Sequence, residues 1–359
     1  MPVVQLDLAV IGLGPAGASA ARIAAEAGLR VAAFEKKAVA GHPVQCAEFI
    51  PALLDAGDLV VSETSVQKIH EMITYVEADE PDLTKNFSGH MIDRRAFDAS
   101  LVKAAERAGV DCKFSSKINE IDNQGKLILS DGTEVSARYI LGADGPHSVV
   151  GQMIGSINQD IVDTRQMSVP LLKPHMATDI YLSNDIPGGY GWMFPKGDVA
   201  NIGLGVYADQ KHLLKSALED LHKRIVKSGL VGEEILGFTG GAIPVGGLLR
   251  AAGKIGETKC LLAGDAAGLT NPITGAGIAA AVMSGRLAGE AIVADTRGEL
   301  DAFEVYEEDL EDLFGASLRR AVARRKTLQE LADKNALTKT DLRGGWIAYK
   351  DYWRSSAAA

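Results

Sequence analysis

The apolar positions of this chain fall into three kinds of run. Residues 6–12, LDLAVIG, form a short unbroken apolar stretch of the kind that makes a buried strand, and the following ASAARIAAEAG has helical spacing. The strand pattern returns at RVAAFE (30–35), YILGADG (139–145) and CLLAGD (260–265), the last leading to a helix expected to begin near Ala276. After Gly155 the rhythm changes. QMSVPLL, ATDIYLS, YGWMFPKG and ANIGLGVY are short β-forming runs separated by Pro, Gly, Asn and Asp, which predicts an antiparallel sheet. Within GGYGWMFPKG (188–197), period-two alternation puts Tyr190, Trp192 and Phe194 on one face and Gly191 and Met193 on the other. Residues 299–330 read as one long helix, with Leu300, Phe303, Leu310, Leu313, Phe314 and Leu318 at helical spacing.

Composition narrows the class. At 359 residues and 47% apolar content the chain can bury a large core divided over more than one domain. A net charge of -10 disfavours a nucleic-acid partner, which requires a basic face. No 18-residue uncharged apolar stretch occurs, and MPVVQLDLAVIG lacks the features of a secretory signal, so a cytoplasmic location is expected. Cys46, Cys112 and Cys260 are odd in number and have no metal-ligand spacing, which suggests neither a metal site nor a disulfide framework.

The candidate chemistry begins at Gly12, Gly14 and Gly17, in G-x-G-x-x-G spacing between a strand and a helix. Gly12 turns the chain, Gly14 admits the backbone to a pyrophosphate, and Gly17 lets the helix pack on the strand; the anion then lies at a helix N-terminus. RVAAFE ends in Glu35, 18 residues after Gly17, where a carboxylate can accept bonds from a ribose diol. Two later motifs narrow the dinucleotide. Asp144 and Gly145 fall at a strand end, and Asp265 precedes a Pro/Gly loop containing Gly275. Asp265 suits the hydroxyls of a flexible polyol, while N–H groups near Gly277 and Ile278 favour negative charge, which fits the ribityl chain and the N1/O2 edge of a reduced flavin.

Together the N-terminal fingerprint, IDRRAFDASLVKAAERAG, GADGPHS and AGDAAGLTNPITGAG resemble the FAD-dependent oxidoreductases built like p-hydroxybenzoate hydroxylase. More narrowly, PVQCAEFI (43–50) and IYLSNDIPGGYGWMFPKGDVANIGLGV (180–206) are similar to the geranylgeranyl reductase family, over about residues 5–295. The resemblance implies an α/β architecture: a discontinuous Rossmann-like FAD-binding domain (1–75, 92–155, 245–298), an inserted antiparallel substrate-binding sheet (76–91, 156–244) and a C-terminal helical region (299–359). It also implies that Ala16, Glu35, Cys46, Ala47, Phe49, Arg95, Asn119, Asp265, Gly277 and Ile278 touch FAD. Arg95 has a physical rationale as well, since a guanidinium at a helix start neutralises a diphosphate; Arg94 is its natural control.

The resemblance assigns the aromatic strand to a prenyl-binding cavity, so Tyr190, Trp192 and Phe194 are expected to wall the substrate chamber. The expected activity is reduction of C=C bonds in a prenyl chain on a lipid, quinone or pigment precursor, by hydride transfer from flavin N5. An aromatic monooxygenase and a non-catalytic flavoprotein that binds a lipid or partner are the alternatives. Cys46, in the loop that the family places beside the isoalloxazine, is the candidate catalytic side chain: it could steer substrate, donate a proton or respond to flavin redox state. The family often has glycine where Ala47 stands. The electron donor is left between NADPH, NADH and a ferredoxin. In the tail GGWIAYKDYWRSS, Trp346, Tyr349 and Trp353 fall on one helical face, either for peripheral contact with a membrane or for docking onto the protein's own cavity.

Overall fold

The computed structural model describes residues 4–51 and 61–354. Its first half contains β1 (Val4–Ile11), α1 (Pro15–Glu26), β2 (Val31–Phe34), β3 (Phe49–Pro51), α2 (Val61–Thr64), β4 (Ser65–Val76), β5 (Asp82–Ile92), α3 (Arg94–Arg107), β6 (Asp111–Lys113), β7 (Ile118–Ile121), β8 (Leu127–Leu129), β9 (Glu134–Gly142) and α4 (Val149–Met153). There follow β10 (Ile161–Pro170), β11 (Ala177–Leu182), β12 (Gly191–Lys196), β13 (Val199–Tyr207), α5 (Leu214–Lys227), β14 (Gly237–Thr239), β15 (Ala242–Pro244), β16 (Ala252–Ile255) and β17 (Thr258–Leu262). The chain ends in helices α6 (Ile278–Thr296), α7 (Ala302–Leu310), α8 (Ala316–Asp333), α9 (Lys339–Gly344) and α10 (Lys350–Trp353).

Two sheets organise these elements. In the first, of order β16-β17-β9-β1-β2-β6, the central strands run parallel, and their apolar runs are buried on both sides. Helices α1 and α6 cross in close contact, because Gly285 and Gly289 leave no side chain between them and the α1 backbone: a Cβ on Gly285 would lie 2.1 Å from the Ala16 carbonyl oxygen. Both helices therefore start at the same end of the sheet, beside the glycine turn.

The second sheet has the order β14-β10-β13-β12-β11-β4-β5-β3, with β15 also paired to β10. It is antiparallel except at one junction, where β4 and β11 run parallel with Ile73 opposite Asp179. That junction joins two separate excursions of the chain, the β4–β5 hairpin and the β10–β13 segment, so no tight turn imposes antiparallel pairing there. Residues 65–75, which the sequence reading put with the nucleotide-binding half, pair in this sheet as β4. One face of the sheet is covered by Leu214, Leu218, Leu221 and Ile225 of α5. The other carries Trp192 and Phe194 and is covered by the tail residues Trp346 and Tyr352.

The C-terminal region departs from the expected single helix. A π-turn at Glu311–Gly315 separates α7 from α8. The extra residue in that turn rotates the apolar stripe, so Leu310 and Leu318 are buried while Leu313, predicted on the same face, is 50% exposed. Leu300 lies before α7 and is exposed as well. Nor do Trp346, Tyr349 and Trp353 share a helix, since α9 and α10 are separate short helices. Trp346 is buried with its ring 4.7 Å from that of Tyr190, the Tyr349 hydroxyl donates to Asp82 (2.7 Å), and Trp353 is exposed. This part of the tail docks on the protein's own sheet; residues 355–359 lie outside the described residues.

Gly285→Ala is expected to force α1 from α6 and to cost about 1–3 kcal/mol of stability, in line with overpacked cores. Thermal unfolding of the apoprotein measures it, with Gly344→Ala at an unobstructed helical position as the comparison for local crowding.

Candidate functional site

The glycine turn after β1 is built by contacts that no side chain could share. Gly12 has φ +97°, and a Cβ there would sit 2.3 Å from the Ala143 carbonyl oxygen; at Gly17 it would sit 1.9 Å from the Gly12 oxygen. Gly14 differs from both. A Cβ on it would meet nothing within 4 Å, so the space in front of the α1 N-terminus is open. Ala16 is buried in the first turn of that helix. The Glu35 carboxylate closes the turn, accepting from the Leu13 N–H (3.0 Å) and the Lys37 N–H (2.9 Å).

Asp144 follows β9. One carboxylate oxygen accepts from the Val149 N–H (2.7 Å), and the other is buried without a hydrogen-bond partner. Burial pushes this carboxyl up from its ordinary pKa. An unpartnered buried acceptor calls for a donor that the polypeptide does not supply.

At the start of α3 the two arginines part company. Arg94 is largely buried and makes a two-pronged pair with Asp98, at 3.0 Å from Nε and 3.0 Å from a terminal nitrogen. Its guanidinium also lies against the Cys46 thiol. Arg95 is exposed, with Gly41 packed on its backbone, and Asn119 is exposed on β7. The first-turn cation that the structure ties to the Cys46 loop is thus Arg94.

On the other side, Asp265 lies in a 3₁₀ turn after β17 and accepts from the Thr270 hydroxyl (2.7 Å). Burial pushes its carboxyl up, against the hydrogen bond from Thr270 and the charge of Arg94. Gly275 has φ +69°, and Gly277 is the N-cap of α6 without any side-chain cap, which leaves the first N–H groups of Ile278 and its neighbours to an outside acceptor. A cavity of about 180 Å³ opens against this helix end, walled by Phe49, Ile50, Gly277, Phe314 and Leu318.

Between the two halves runs the Cys46–Phe49 loop, held by contacts that sequence reasoning missed. Gln166 on β10 donates to the Cys46 carbonyl (3.2 Å) and accepts from the Trp192 indole N–H (2.9 Å). Glu48, buried with φ +70°, takes Lys196 on both carboxylate oxygens (2.8 Å each), the Asn201 amide (3.1 Å) and the Arg94 N–H (3.1 Å). The Glu48 N–H in turn donates to Cys46 Sγ (3.1 Å). Nothing in spacing connects Glu48 to Lys196, 148 positions away.

These residues fit a flavin dinucleotide: an open cradle at Gly14, an unpartnered acceptor at Asp144, and an uncapped helix start at Gly277. The chain matches the FAD binding domain family model over residues 5–310. It is 33% identical to the digeranylgeranylglycerophospholipid reductase of Methanocella arvoryzae, over 92% of this chain and 88% of the relative. With digeranylgeranylglycerophospholipid reductase 2 of Methanopyrus kandleri it shares 31% identity, over 93% and 89%. Among solved structures it is similar to a geranylgeranyl bacteriochlorophyll reductase-like protein from Thermoplasma acidophilum, with a TM-score of 0.78, 25% identity and coverage of 94% and 93%. The chain belongs to the geranylgeranyl reductase family.

This geranylgeranyl reductase family member is an FAD-dependent oxidoreductase, and its aromatic stripe can be placed accordingly. Trp192 and Phe194 share one face of β12, and Tyr190, just before the strand, packs in the same cluster, as the alternation requires. None of the three lines the 180 Å³ cavity. Trp192 and Phe194 are 7% and 6% exposed, while the Tyr190 hydroxyl donates to the Thr274 carbonyl (2.6 Å). They stand one layer behind the cavity: Phe194 lies 5.8 Å from the ring of Phe49, and Tyr190 fixes the loop before Gly275.

Two substitutions separate cofactor contacts from folding contacts. Gly14→Ala meets no atom of the protein, so the apoprotein is expected to melt as wild type while FAD affinity falls, measured by flavin fluorescence titration. Asp265→Asn has a pH signature. A carboxyl whose folded pKa is raised contributes stability that is full below its unfolded value of about 4 and is lost as pH rises through the folded value. The Asn apoprotein should therefore melt higher than wild type at pH 7, lose that advantage near pH ~4, and retain FAD less well at pH 7.

Proposed function

We propose that this protein saturates C=C bonds of geranylgeranyl-type chains on a glycerophospholipid. The single observation that carries the reading is the cavity at the α6 N-terminus, whose walls of Phe49, Ile50, Phe314 and Leu318 suit an isoprenoid chain and whose floor is the uncapped helix start. The names and coverage of the relatives support it. Reduced FAD, when bound, supplies the hydride for one alkene carbon.

The residues of the chain supply the rest. An isolated alkene has no carbonyl to polarise, so the site works by holding the double bond and keeping water out, which is the task of Phe49, Phe314 and Leu318. The N–H groups at Gly277 and Ile278 favour negative charge at the cofactor edge. Arg95 and Asn119, both exposed, contact the dinucleotide on this reading. Cys46 holds the proton for the second carbon on Sγ, with Arg94 beside it and the Glu48 N–H fixing its rotamer. Tyr190, Trp192 and Phe194 act as the backing of the chamber.

Anaerobic mixing of the photoreduced holoenzyme with digeranylgeranylglycerophospholipid is expected to reoxidise the flavin and to add two hydrogen atoms per bond reduced, read by mass spectrometry. Unchanged product mass would remove the reductase reading, and an oxygen-dependent gain of one oxygen atom would replace it by a monooxygenase. Cys46→Ser should slow reoxidation at least tenfold with FAD content unchanged.

A further inference from the structure

The cavity reaches the surface beside Ser317, which lines it and is itself exposed. Ser317 sits on α8, and helical spacing places Arg320 one turn further along the same flank. The neighbouring cations are engaged. Arg319 pairs with Glu311; Arg324 donates to the carbonyls of Asp351 (2.7 Å), Tyr352 (3.3 Å) and Arg354 (2.6 Å); and Arg354 pairs with Asp351 (2.7 Å). Among the described residues Arg320 forms no ion pair and instead lies 5.4 Å from the ring centroid of Trp353.

Trp353 is held in this position although it is 56% exposed. Its indole N–H donates to the Ile347 carbonyl (2.9 Å), and the Tyr352 ring meets it edge-on at 5.1 Å. A fixed, exposed indole over an unpaired guanidinium has an apolar face for acyl chains and a cation for an anion at one point. Leu313, 50% exposed, lies about one turn before Ser317.

We infer that Arg320, braced by Trp353, binds the phosphate of a glycerophospholipid at the cavity mouth, so that the headgroup stays at the surface while the isoprenoid chain enters past Ser317. This inference rests on the proposed function for its lipid. It adds a headgroup subsite on α8 and the tail, away from the flavin contacts. Arg320 is a substrate-binding residue on this view, and the docked tail is the element that holds the subsite in register with the cavity.

The test uses the full-length holoenzyme in two arms. In the first, binding is followed by the emission of Trp353, the exposed one of three tryptophans, on titration with phosphatidylglycerol vesicles, phosphatidylcholine vesicles or inorganic phosphate. A blue shift with the anionic vesicles, weakened about fivefold in Arg320→Ala and restored in Arg320→Lys, is expected. An identical titration curve for Arg320→Ala would overturn the inference, and displacement by millimolar inorganic phosphate would assign the site to a soluble phosphate instead of a lipid. In the second arm, Arg320→Ala should raise KM about fivefold for the phospholipid substrate at unchanged kcat, and leave KM for phosphate-free geranylgeraniol unaltered. Equal effects on both substrates would also overturn it. Should neither substrate be reduced while the vesicle arm depends on Arg320, the proposed reduction fails and the phosphate subsite stands.

Discussion

The buried carboxylate of Glu48 is the tie on which this architecture depends. It receives the Arg94 N–H from the nucleotide-binding half and the Lys196 and Asn201 side chains from the large sheet. Removing one partner of such a buried, hydrogen-bonded ion pair costs about 3–5 kcal/mol, because the remaining charge is left in a medium that does not solvate it. The chain accepts a left-handed backbone at a glutamate to make this contact, and the two residues before it, Cys46 and Ala47, are thereby laid along the seam.

From that tie the site follows by adjacency. Phe49, immediately after Glu48, becomes a wall of the cavity and part of an aromatic row running through Phe194 and Trp192 to Tyr190 and Trp346. Two helix starts converge on the same region because Gly285 and Gly289 let α1 and α6 touch along their backbones. The first start is open in front of Gly14, and the second is uncapped at Gly277. Converging N–H groups and an aromatic-backed chamber belong to one geometry, which suits a flavin dinucleotide.

The electrostatics show the same division of labour. Asp144 and Asp265 are carboxyls whose burial opposes ionisation, and Asp144 keeps an acceptor without a partner in the polypeptide. Asp98 and Glu48, by contrast, are fully engaged by cations and amides of the protein. Stability has been placed in the second pair and withheld from the first, as expected where a ligand completes the structure.

The local parts were legible in the sequence because they are short-range. A strand, a glycine turn, a helix and a terminal carboxylate within thirty residues declare a dinucleotide site, since sterics at Gly12 and Gly17 leave few other uses for that order. Alternation likewise put Tyr190, Trp192 and Phe194 on one face. Tertiary structure decided what that face meets: it is covered by Trp346 from the tail and stands behind the cavity, because burial depends on which distant segment docks. It also singled out Arg94 over Arg95 as the cation beside Cys46, paired Glu48 with Lys196, joined β4 to β11 in parallel and turned Leu313 outward at the π-turn. Periodicity reports only the side of an element on which a residue lies; the partner on that side is set by packing between segments far apart in the chain, where no spacing rule applies.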